Sequence, residues 1–441
     1  MLTPSAVAAL ILLVGVIALI AASVPIAIAI GLPSLLAAMA VLGPENAMQA
    51  VAQRMFTGTN SFSLLAIPFF VLAGALMNSG GIATRLIDAA KVLVGRMPAN
   101  LAMTNVVANG LFGSVSGAAV ASASAIGTIM SPRMREEGYG RAYSAAVNVA
   151  SAPAGMLLPP SNTFIVYSLV SSTSIAALFM AGVGPGMLWL LAVLLMALYL
   201  SRRENYRREV EHPSLGLILL TLWRAVPSVA MIFIVIGGIL LGWFTPTESA
   251  AIAVLYCLVL GFAYRNIRVR DLPAILLSAT RTTSIVMLLV AASSALSWVM
   301  AFAGIPDLIA SGLLGISENK IVILLIIMAI LLVIGTFMDP TPAILIFVPI
   351  FLPIVTELGV DPVHFGAMVV MNLSLGVITP PVGNVLFVGA QVAGLRIEPV
   401  IARLWPYLVA LVVALLVVAF VPALSIWLPT QLGLMTPLGA A

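Results

Sequence analysis

The sequence predicts an all-α polytopic membrane protein made of two similar halves. Of its 441 residues, 62% are hydrophobic and only 8% are charged, which leaves too little polar surface to cover a water-soluble globule. Apolar runs of about 17 to 25 residues recur along the chain, matching the length of a membrane-crossing helix. Two polar double-proline segments, LPPSN (158–162) and TPPVGN (379–384), interrupt such runs. Because proline removes a backbone hydrogen bond and clashes with the preceding turn, both helices should break at membrane depth.

A polar run, RRENYRREVEH (202–212), separates a first repeat (1–212) from a second (213–441), and their elements follow the same order. Each half is predicted to hold three membrane segments, a surface helix, a pair of short helices, a broken helix and a final helix. In the first half these lie near 5–22, 24–42, 62–77, 81–97, 99–131, 142–178 and 180–200. In the second half they lie near 216–242, 247–264, 282–301, 305–315, 320–357, 362–395 and 402–428.

Each pair of short helices is expected to form a re-entrant hairpin, with turns at GSVSG (113–117) and MDPTP (338–342). Each half then crosses the membrane five times, about ten in all, so the two halves must be inverted. With the N-terminus outside, only Arg54 and Lys320 of the nineteen basic residues fall outside, a strong positive-inside pattern. The inside residues are Arg85, Lys91, Arg96, Arg133, Arg135, Arg141, Arg202, Arg203, Arg207, Arg208, Arg224, Arg265, Arg268, Arg270, Arg281, Arg396 and Arg403.

The hairpin turns and helix breaks are the expected functional site, because helix ends at membrane depth expose unpaired backbone groups suited to ions. Their polar groups are backbone carbonyls, hydroxyls and amides, which suit a small hard cation. Sodium is the natural candidate, although oxygen ligands alone do not exclude other hard cations. The candidate ligands are Ser114, Ser116, Gly117, Ser161, Asn162, Asp339, Thr341, Thr379, Gly383 and Asn384.

Several of these residues also have a purely local interpretation. Asp339 followed by Pro340 is a good helix start, and Ser114 and Ser116 could cap the next helix. A carboxylate at membrane depth is nevertheless costly and indicates function by default. Elsewhere, Thr245 and Glu248 form the pattern of a structural capping box. His364 and Cys257 are expected to be structural, and with His212 as the only other histidine no Cys/His metal centre or cofactor is predicted.

Five longer segments resemble the large membrane subunit of a TRAP (tripartite ATP-independent periplasmic) transporter, the DctM or SiaM type. They are GSVSGAAVASASAIG (113–127), LLPPSNTFIVY (157–167), FTPTESAA (244–251), FMDPTPAILIFVPIFLP (337–353) and DPVHFGAMVVMNLSLGVITPPVGNVLF (361–387). The resemblance covers essentially the full length. It departs from the commonest patterns at Ala118, where many members have a hydroxyl, and at Asn162-Thr163, where many have an apolar residue after PPS.

The resemblance implies an elevator transporter, driven by a sodium gradient, that imports an organic acid such as a dicarboxylate, sialic acid or sugar acid. The first hairpin with LPPSN would form one sodium site and the second with TPPVGN another, with Pro159, Pro160, Pro380 and Pro381 holding the helices open. Substrate would lie between them, at Ser116, Asn162, Thr163, Thr341 and Asn384. The implied partners are a small four-helix membrane subunit and a periplasmic binding protein, both expected as separate chains. Together with the charge pattern, the resemblance implies a bacterial inner-membrane protein with periplasmic termini.

Three other functions are compatible with a helical membrane protein of this size. A stand-alone sodium/carboxylate symporter of similar architecture would differ in needing no partners. An intramembrane hydrolase is disfavoured because no Ser/His pair, aspartate pair or metal-ligand cluster is visible. An ATP-driven pump is disfavoured because the chain has no GxxxxGK[ST] loop.

Overall fold

The fold is built from helices throughout the described part of the chain. The computed structural model describes residues 4–22, 24–95, 97–204, 206, 215–317 and 319–436, and their regular elements are all helical. Four residues named in the sequence predictions lie outside these described ranges: Arg96, Arg207, Arg208 and His212. The helices of the first half are α1 (Pro4–Ala21), α2 (Ile26–Leu42), α3 (Pro44–Thr59), α4 (Ala66–Ser79), α5 (Ile82–Val94), α6 (Asn100–Ser116), α7 (Ala119–Glu136), α8 (Arg141–Ser151), α9 (Ala154–Leu157), α10 (Asn162–Ser171) and α11 (Ile175–Arg203).

The remaining helices lie in the second half of the chain. They are α12 (Leu215–Leu240), α13 (Pro246–Ala263), α14 (Leu272–Phe302), α15 (Ile305–Ile316), α16 (Lys320–Phe337), α17 (Pro340–Glu357), α18 (Pro362–Gly376), α19 (Asn384–Val392), α20 (Ile397–Phe420) and α21 (Ala423–Gln431). Short 3₁₀ turns at Phe62–Leu65 and Val269–Asp271 precede α4 and α14.

Hydropathy and length make this a multi-pass membrane protein. Within the described residues, eight helical stretches are long and apolar enough to cross a bilayer. They are Phe62–Ser79, Ile175–Arg203, Ile218–Leu240, Pro246–Ala263, Val269–Phe302, Lys320–Phe337, Pro340–Glu357 and Ile397–Phe420. The stretches Ala6–Ala21, Ile26–Leu42, Asn162–Ser171 and Pro362–Gly376 are apolar but shorter.

The structure corrects several predicted boundaries. Helix α3 was not predicted, because its one buried stripe, with Ala47 and Val51, is too short to give an apolar run. The predicted 282–301 segment begins earlier, at Leu272, and the predicted last helix is two helices, α20 and α21. The turn predicted at 113–117 is wrong for its first four residues, which continue α6. Only Gly117, with φ +62°, and the extended Ala118 leave the helix.

Two packing groups divide the helices. In the outer group, α4 packs on α13 and α14, α2 packs on α1, α3 and α14, and α12 packs on α5 and α13. In the inner group, α6 packs on α7, α8 and α9, α16 packs on α18, and α11 and α20 pack on each other. The groups are closely joined, because α5 packs on α6 as extensively as the inner helices do. Further contacts link α4 to α6 and α10, α12 to α6, and α14 to α17.

The inner group is interlocked between the halves. After its break, the first broken helix continues as α10, which packs on α17, the second arm of the other half's hairpin. The second broken helix continues as α19, which packs on α7, the second arm of the first hairpin. Each hairpin therefore supports the half-helix that follows the other half's break.

His364 lies in the interior of the inner group. It is buried in α18, with Nδ1 2.6 Å from Ser425 Oγ and Nε2 3.2 Å from the Ala419 carbonyl oxygen. These contacts fasten α18 to α20 and α21. Both ring nitrogens are thus engaged in packing interactions, as expected of a structural histidine.

Helix α13 begins with the capping box expected from the sequence. Thr245 Oγ1 accepts a hydrogen bond from the Glu248 amide at 3.3 Å, and Glu248 Oε2 accepts one from the Thr245 amide at 2.8 Å. Replacing Thr245 with Ala should lower the stability by about 1 kcal/mol, since the Glu248 amide loses its partner. Thermal denaturation of the purified protein measures this. Thr282→Ala should change stability less, because the Thr282 hydroxyl donates to the Ser278 carbonyl oxygen within its own exposed helix. Equal losses in the two variants would contradict the capping role.

Candidate functional site

Both double-proline segments interrupt their helices. The first helix stops at Leu157 and resumes at Asn162, and the second stops at Gly376 and resumes at Asn384. The peptide bonds Pro159–Pro160 and Pro380–Pro381 are both cis. Each break opens a stretch of backbone beside a hairpin turn.

Two pairs of glycines bring each hairpin against its broken helix. A Cβ atom on Gly113 of α6 would lie 2.5 Å from Gly155 Cα in α9. In the second half, a Cβ atom on Gly376 of α18 would lie 2.5 Å from the carbonyl carbon of Gly335 in α16. Backbones this close leave no room for any side chain, and the close approach places each turn next to its break.

The first cluster forms where the turn after α6 meets the start of α10. The Asn162 side chain lies against Gly117, whose Cβ, if present, would be 3.1 Å from Asn162 Nδ2. Within the described residues, the buried Asn162 Oδ1 has no hydrogen-bond partner. A buried amide oxygen without a partner costs roughly 1–3 kcal/mol, so this atom is the best candidate ligand of the cluster.

The serines of the first cluster differ in the hydrogen bonds that their hydroxyl groups make. Ser161 is fully buried and caps α10; its Oγ donates to the Met156 carbonyl oxygen at 2.5 Å. Ser116 is the last residue of α6, next to the turn at Gly117, and its Oγ lies 3.4 Å from Ser122 Oγ. Ser114 lies inside α6 and donates to the Leu111 carbonyl oxygen at 2.8 Å, so its hydroxyl is engaged by its own helix. Thr163 is buried in the first turn of α10.

The second cluster forms where the start of α17 meets the start of α19. Asn384 Nδ2 donates to Asp339 Oδ1 at 2.8 Å. Asp339 precedes α17 but makes no side-chain capping hydrogen bond, so its carboxylate is directed to the other helix. Thr341 follows in the first turn of α17 and is half-buried. The local capping interpretation of Asp339 is therefore not the geometry observed.

Backbone oxygens also converge on the second break. Gly383 has φ +58°, and a Cβ there would lie 3.0 Å from the Val377 oxygen and 3.1 Å from the Thr379 oxygen. Its amide donates to the Thr336 carbonyl oxygen at 3.0 Å, which joins the break to the end of α16. The Thr379 hydroxyl donates to the Leu375 oxygen at 2.7 Å. Because the Thr379 hydroxyl is bonded to Leu375, the Thr379 carbonyl oxygen is the better candidate to bind a cation.

The sequence predictions missed a buried amide network beside the first cluster. Asn109 Nδ2 lies within hydrogen-bonding distance of Asn105 Oδ1 (2.8 Å), Ser151 Oγ (2.9 Å) and Asn148 Oδ1 (3.0 Å). Asn148 also donates to the Ala123 oxygen at 2.8 Å, so the network joins α6, α7 and α8. Asn105 and Asn109 stand four residues apart in an apolar helix, and that spacing is the signal that could have revealed the network.

Electrostatically, the two clusters differ. The second combines the partial positive charge of two helix N-termini, those of α17 and α19, with the negative Asp339 carboxylate, whereas the first includes a helix C-terminus. The C-terminal end of α6 carries partial negative charge and meets the N-terminal end of α10, which carries partial positive charge. No Lys or Arg occurs between residues 142 and 201 or between 321 and 395. An anion in this region would therefore rely on helix N-termini, hydroxyls or a co-bound cation.

Comparison with known proteins identifies the family. Residues 13–424 match the family model described as "Tripartite ATP-independent periplasmic transporter, DctM component". The chain belongs to the DctM family. It is therefore a TRAP transporter large permease subunit, which is a transport protein and not an enzyme.

Individual relatives extend this result. The chain is 52% identical to "Uncharacterized protein YgiK" of Salmonella typhimurium, over 93% of this chain and 95% of that one. It is 38% identical to the C4-dicarboxylate TRAP transporter large permease protein DctM of Pseudomonas aeruginosa, over 89% and 92%. It is also 38% identical to the isethionate TRAP transporter permease protein DctMQ of Oleidesulfovibrio alaskensis, over 92% of this chain but only 64% of that longer protein.

A solved structure shares the fold. The YdaH transporter of Alcanivorax borkumensis matches with a TM-score of 0.63 over 89% of this chain and 90% of that one. The sequence identity is 15%, so the comparison concerns architecture alone.

Proposed function

We propose that this DctM-family chain is the large permease subunit of a sodium-coupled transporter that imports an organic acid anion delivered by a periplasmic binding protein. The observation that carries the proposal is the pair of polar clusters, each built from a hairpin turn and a helix break. The unpartnered Asn162 Oδ1 in one and the Asp339 carboxylate in the other are oxygen ligands suited to sodium. Ion binding would complete the coordination of oxygens that the fold leaves facing a break.

The packing supports an elevator mechanism. The inner group of helices, which contains both clusters, would slide against the outer group, carrying ions and substrate together. With inverted repeats, about ten crossings and two re-entrant hairpins, the binding clusters in the inner group would be accessible first from one side of the membrane and then from the other. In this arrangement both termini and Arg54 face the periplasm of a bacterial inner membrane, and the basic clusters face the cytoplasm.

The proposed substrate is an anion. The relatives named for isethionate and for C4-dicarboxylates handle a sulfonate and carboxylates. Because basic side chains are absent from 142–201 and 321–395, the bound cations would supply positive charge for such a substrate. Ser116, Asn162, Thr163, Thr341 and Asn384 remain the proposed contacts between the two clusters.

The proposed partners are a small four-helix membrane subunit and a soluble binding protein, each encoded beside this chain. The DctMQ relative extends well beyond the part this chain covers, which is consistent with a second component fused in that protein. Proteoliposomes containing the chain, the neighbouring small membrane protein and the neighbouring binding protein should take up a radiolabelled organic acid when a sodium gradient is applied. Uptake that persists with potassium replacing sodium would refute the coupling, and full uptake by the chain alone would favour a stand-alone symporter.

A point substitution tests the first cluster. Asn162→Ala should raise the sodium concentration for half-maximal uptake by about tenfold, because roughly 1.4 kcal/mol of ion binding corresponds to that factor. The measurement is a sodium titration of initial uptake rates, normalised to the amount of protein in the liposomes. Thr282→Ala, on the exposed surface of α14, is the control and should leave the titration unchanged. A sodium dependence unaltered by Asn162→Ala would remove Asn162 from the site.

A further inference from the structure

Arg141 connects the two broken helices. It is the first residue of α8, and its Nη2 donates to the carbonyl oxygens of Ala393 at 2.8 Å and Gly394 at 2.9 Å. These oxygens follow directly on Val392, where α19 ends and carbonyls lack helical partners. A guanidinium here satisfies two of them and complements the negative end of the helix dipole. The N-terminal residue of α8, in the first broken helix, is therefore hydrogen-bonded to the C-terminal end of α19, in the second broken helix.

The opposite end of α19 belongs to the second cluster. Asn384, whose side chain contacts Asp339, is the first residue of this helix, which has nine residues and is roughly 13 Å long. Along its length α19 packs on α7 and α8, both from the first half. The position of Asn384 therefore depends on α7, the second arm of the first hairpin, and on α8.

A matching tie exists at the other half-helix. The Tyr167 hydroxyl in α10 donates to the Pro362 carbonyl oxygen at the start of α18, at 2.6 Å. Helix α10, which begins beside Ser161 and Asn162, packs on α17 of the second hairpin. Each cluster thus depends on a short helix that is anchored to the other half of the chain.

We propose that Arg141 is a positioning residue for the second cluster, and that the exchanged half-helices α10 and α19 couple the two clusters so that a cation at one strengthens binding at the other. The coupling rests on the proposed cation function of both clusters. Because α19 is a short rigid element, releasing its C-terminal end allows Asn384 at its N-terminal end to move relative to Asp339. By the same reasoning, Tyr167 is a positioning residue for the first cluster.

The test uses the purified full-length chain in lipid nanodiscs and sodium itself as the probe. Sodium-dependent thermal stabilisation is titrated at constant ionic strength with choline as the balancing cation. Arg141→Ala should raise the sodium midpoint about five- to tenfold, a typical size for coupling between sites, and reduce the cooperativity of the titration. Arg141→Lys should recover part of the loss, since an ammonium group donates to helix-terminal carbonyls without the guanidinium geometry. Arg135→Ala removes a positive charge from the last turn of α7, six residues earlier in the chain, and should leave the midpoint unchanged.

Hydrogen exchange provides a second measurement that a general loss of stability would not imitate. In Arg141→Ala, amides of 384–392 should exchange faster without sodium, while those of α13 should be unchanged. Tyr167→Phe should likewise raise the sodium midpoint, with faster exchange confined to α10.

The outcomes separate the two proposals. A lower melting temperature with an unchanged sodium midpoint in Arg141→Ala would show a helix cap and nothing more, and would overturn the positioning role. An equal midpoint shift in Arg135→Ala would also overturn it, because charge alone would then explain the effect. If the wild-type protein shows no stabilisation by sodium over choline, the proposed cation function fails and the coupling fails with it.

Discussion

Asp339→Asn should raise the sodium concentration for half-maximal uptake by tenfold or more, an effect of about 1.4 kcal/mol at least. The substitution keeps the shape of the side chain and the ability to cap a helix, since Asn is as good an N-cap as Asp. It removes only the negative charge that Asp339 presents beside Asn384. A loss of sodium affinity would therefore reflect ion binding rather than helix formation. Sodium titration of uptake in proteoliposomes gives the value.

Asp361→Asn is the matched control for this substitution. Asp361 Oδ1 accepts a hydrogen bond from the Val363 amide at 2.8 Å and so caps α18, the role that Asp339 does not perform. The asparagine variant at 361 should keep that cap and the wild-type sodium dependence. If Asp339→Asn behaves like Asp361→Asn, the carboxylate at 339 is a structural feature and the second cation site must be built without it.

Gly376→Ala should destabilise the protein by about 1–3 kcal/mol, the usual cost of overpacking. The new methyl group would lie 2.5 Å from the Gly335 carbonyl carbon, and backbone on both sides leaves no flexible neighbour to move. Separation of α16 from α18 would also displace the turn at Asp339 from the break, so sodium-dependent uptake should fall with stability. Gly113→Ala should do the same in the first half, because its methyl group would lie 2.5 Å from Gly155 Cα. Thermal denaturation and uptake together measure the effect.

Gly237→Ala distinguishes overpacking from a general effect of glycine replacement. Gly237 lies inside α12, and a Cβ there would meet nothing within 4 Å. Since Ala favours a helix over Gly by about 1 kcal/mol, this variant should be neutral or slightly more stable. A Gly376→Ala protein as stable as Gly237→Ala would show that the helices can separate without cost, which would contradict the close approach of Gly335 and Gly376.

Agreement between sequence and structure was best where a strong local signal existed. The second hairpin was predicted over 320–357 with its turn at 338–342, and its helices are Lys320–Phe337 and Pro340–Glu357. Asp339-Pro340 gives an unambiguous helix start, because proline at the first position cannot continue a preceding helix. The first hairpin lacks such a signal. Small residues in GSVSG are compatible with helix or turn, and the break was therefore predicted about four residues too early.

Side-chain roles at the clusters depended on contacts that the sequence did not contain. Asn162 and Asn384 are each the first residue of the helix that follows a double proline, yet one has a buried oxygen without a partner in the described structure and the other donates to Asp339. Ser114 and Ser116 are two residues apart, yet only Ser114 bonds its own helix. Such differences follow from which helix lies opposite each residue.

The sequence by itself determined that this chain is a helical membrane protein of the DctM type, with two helices broken by double prolines. Those features depend on composition and on the chemistry of single residues, namely apolar length and the missing proline amide, and so they are local. Only the tertiary structure decided that Gly113 meets Gly155, that Gly335 meets Gly376, and that α10 and α19 rest on the opposite hairpins. These contacts join residues far apart in the chain, and their energies depend on the close packing of backbones, which no local pattern specifies.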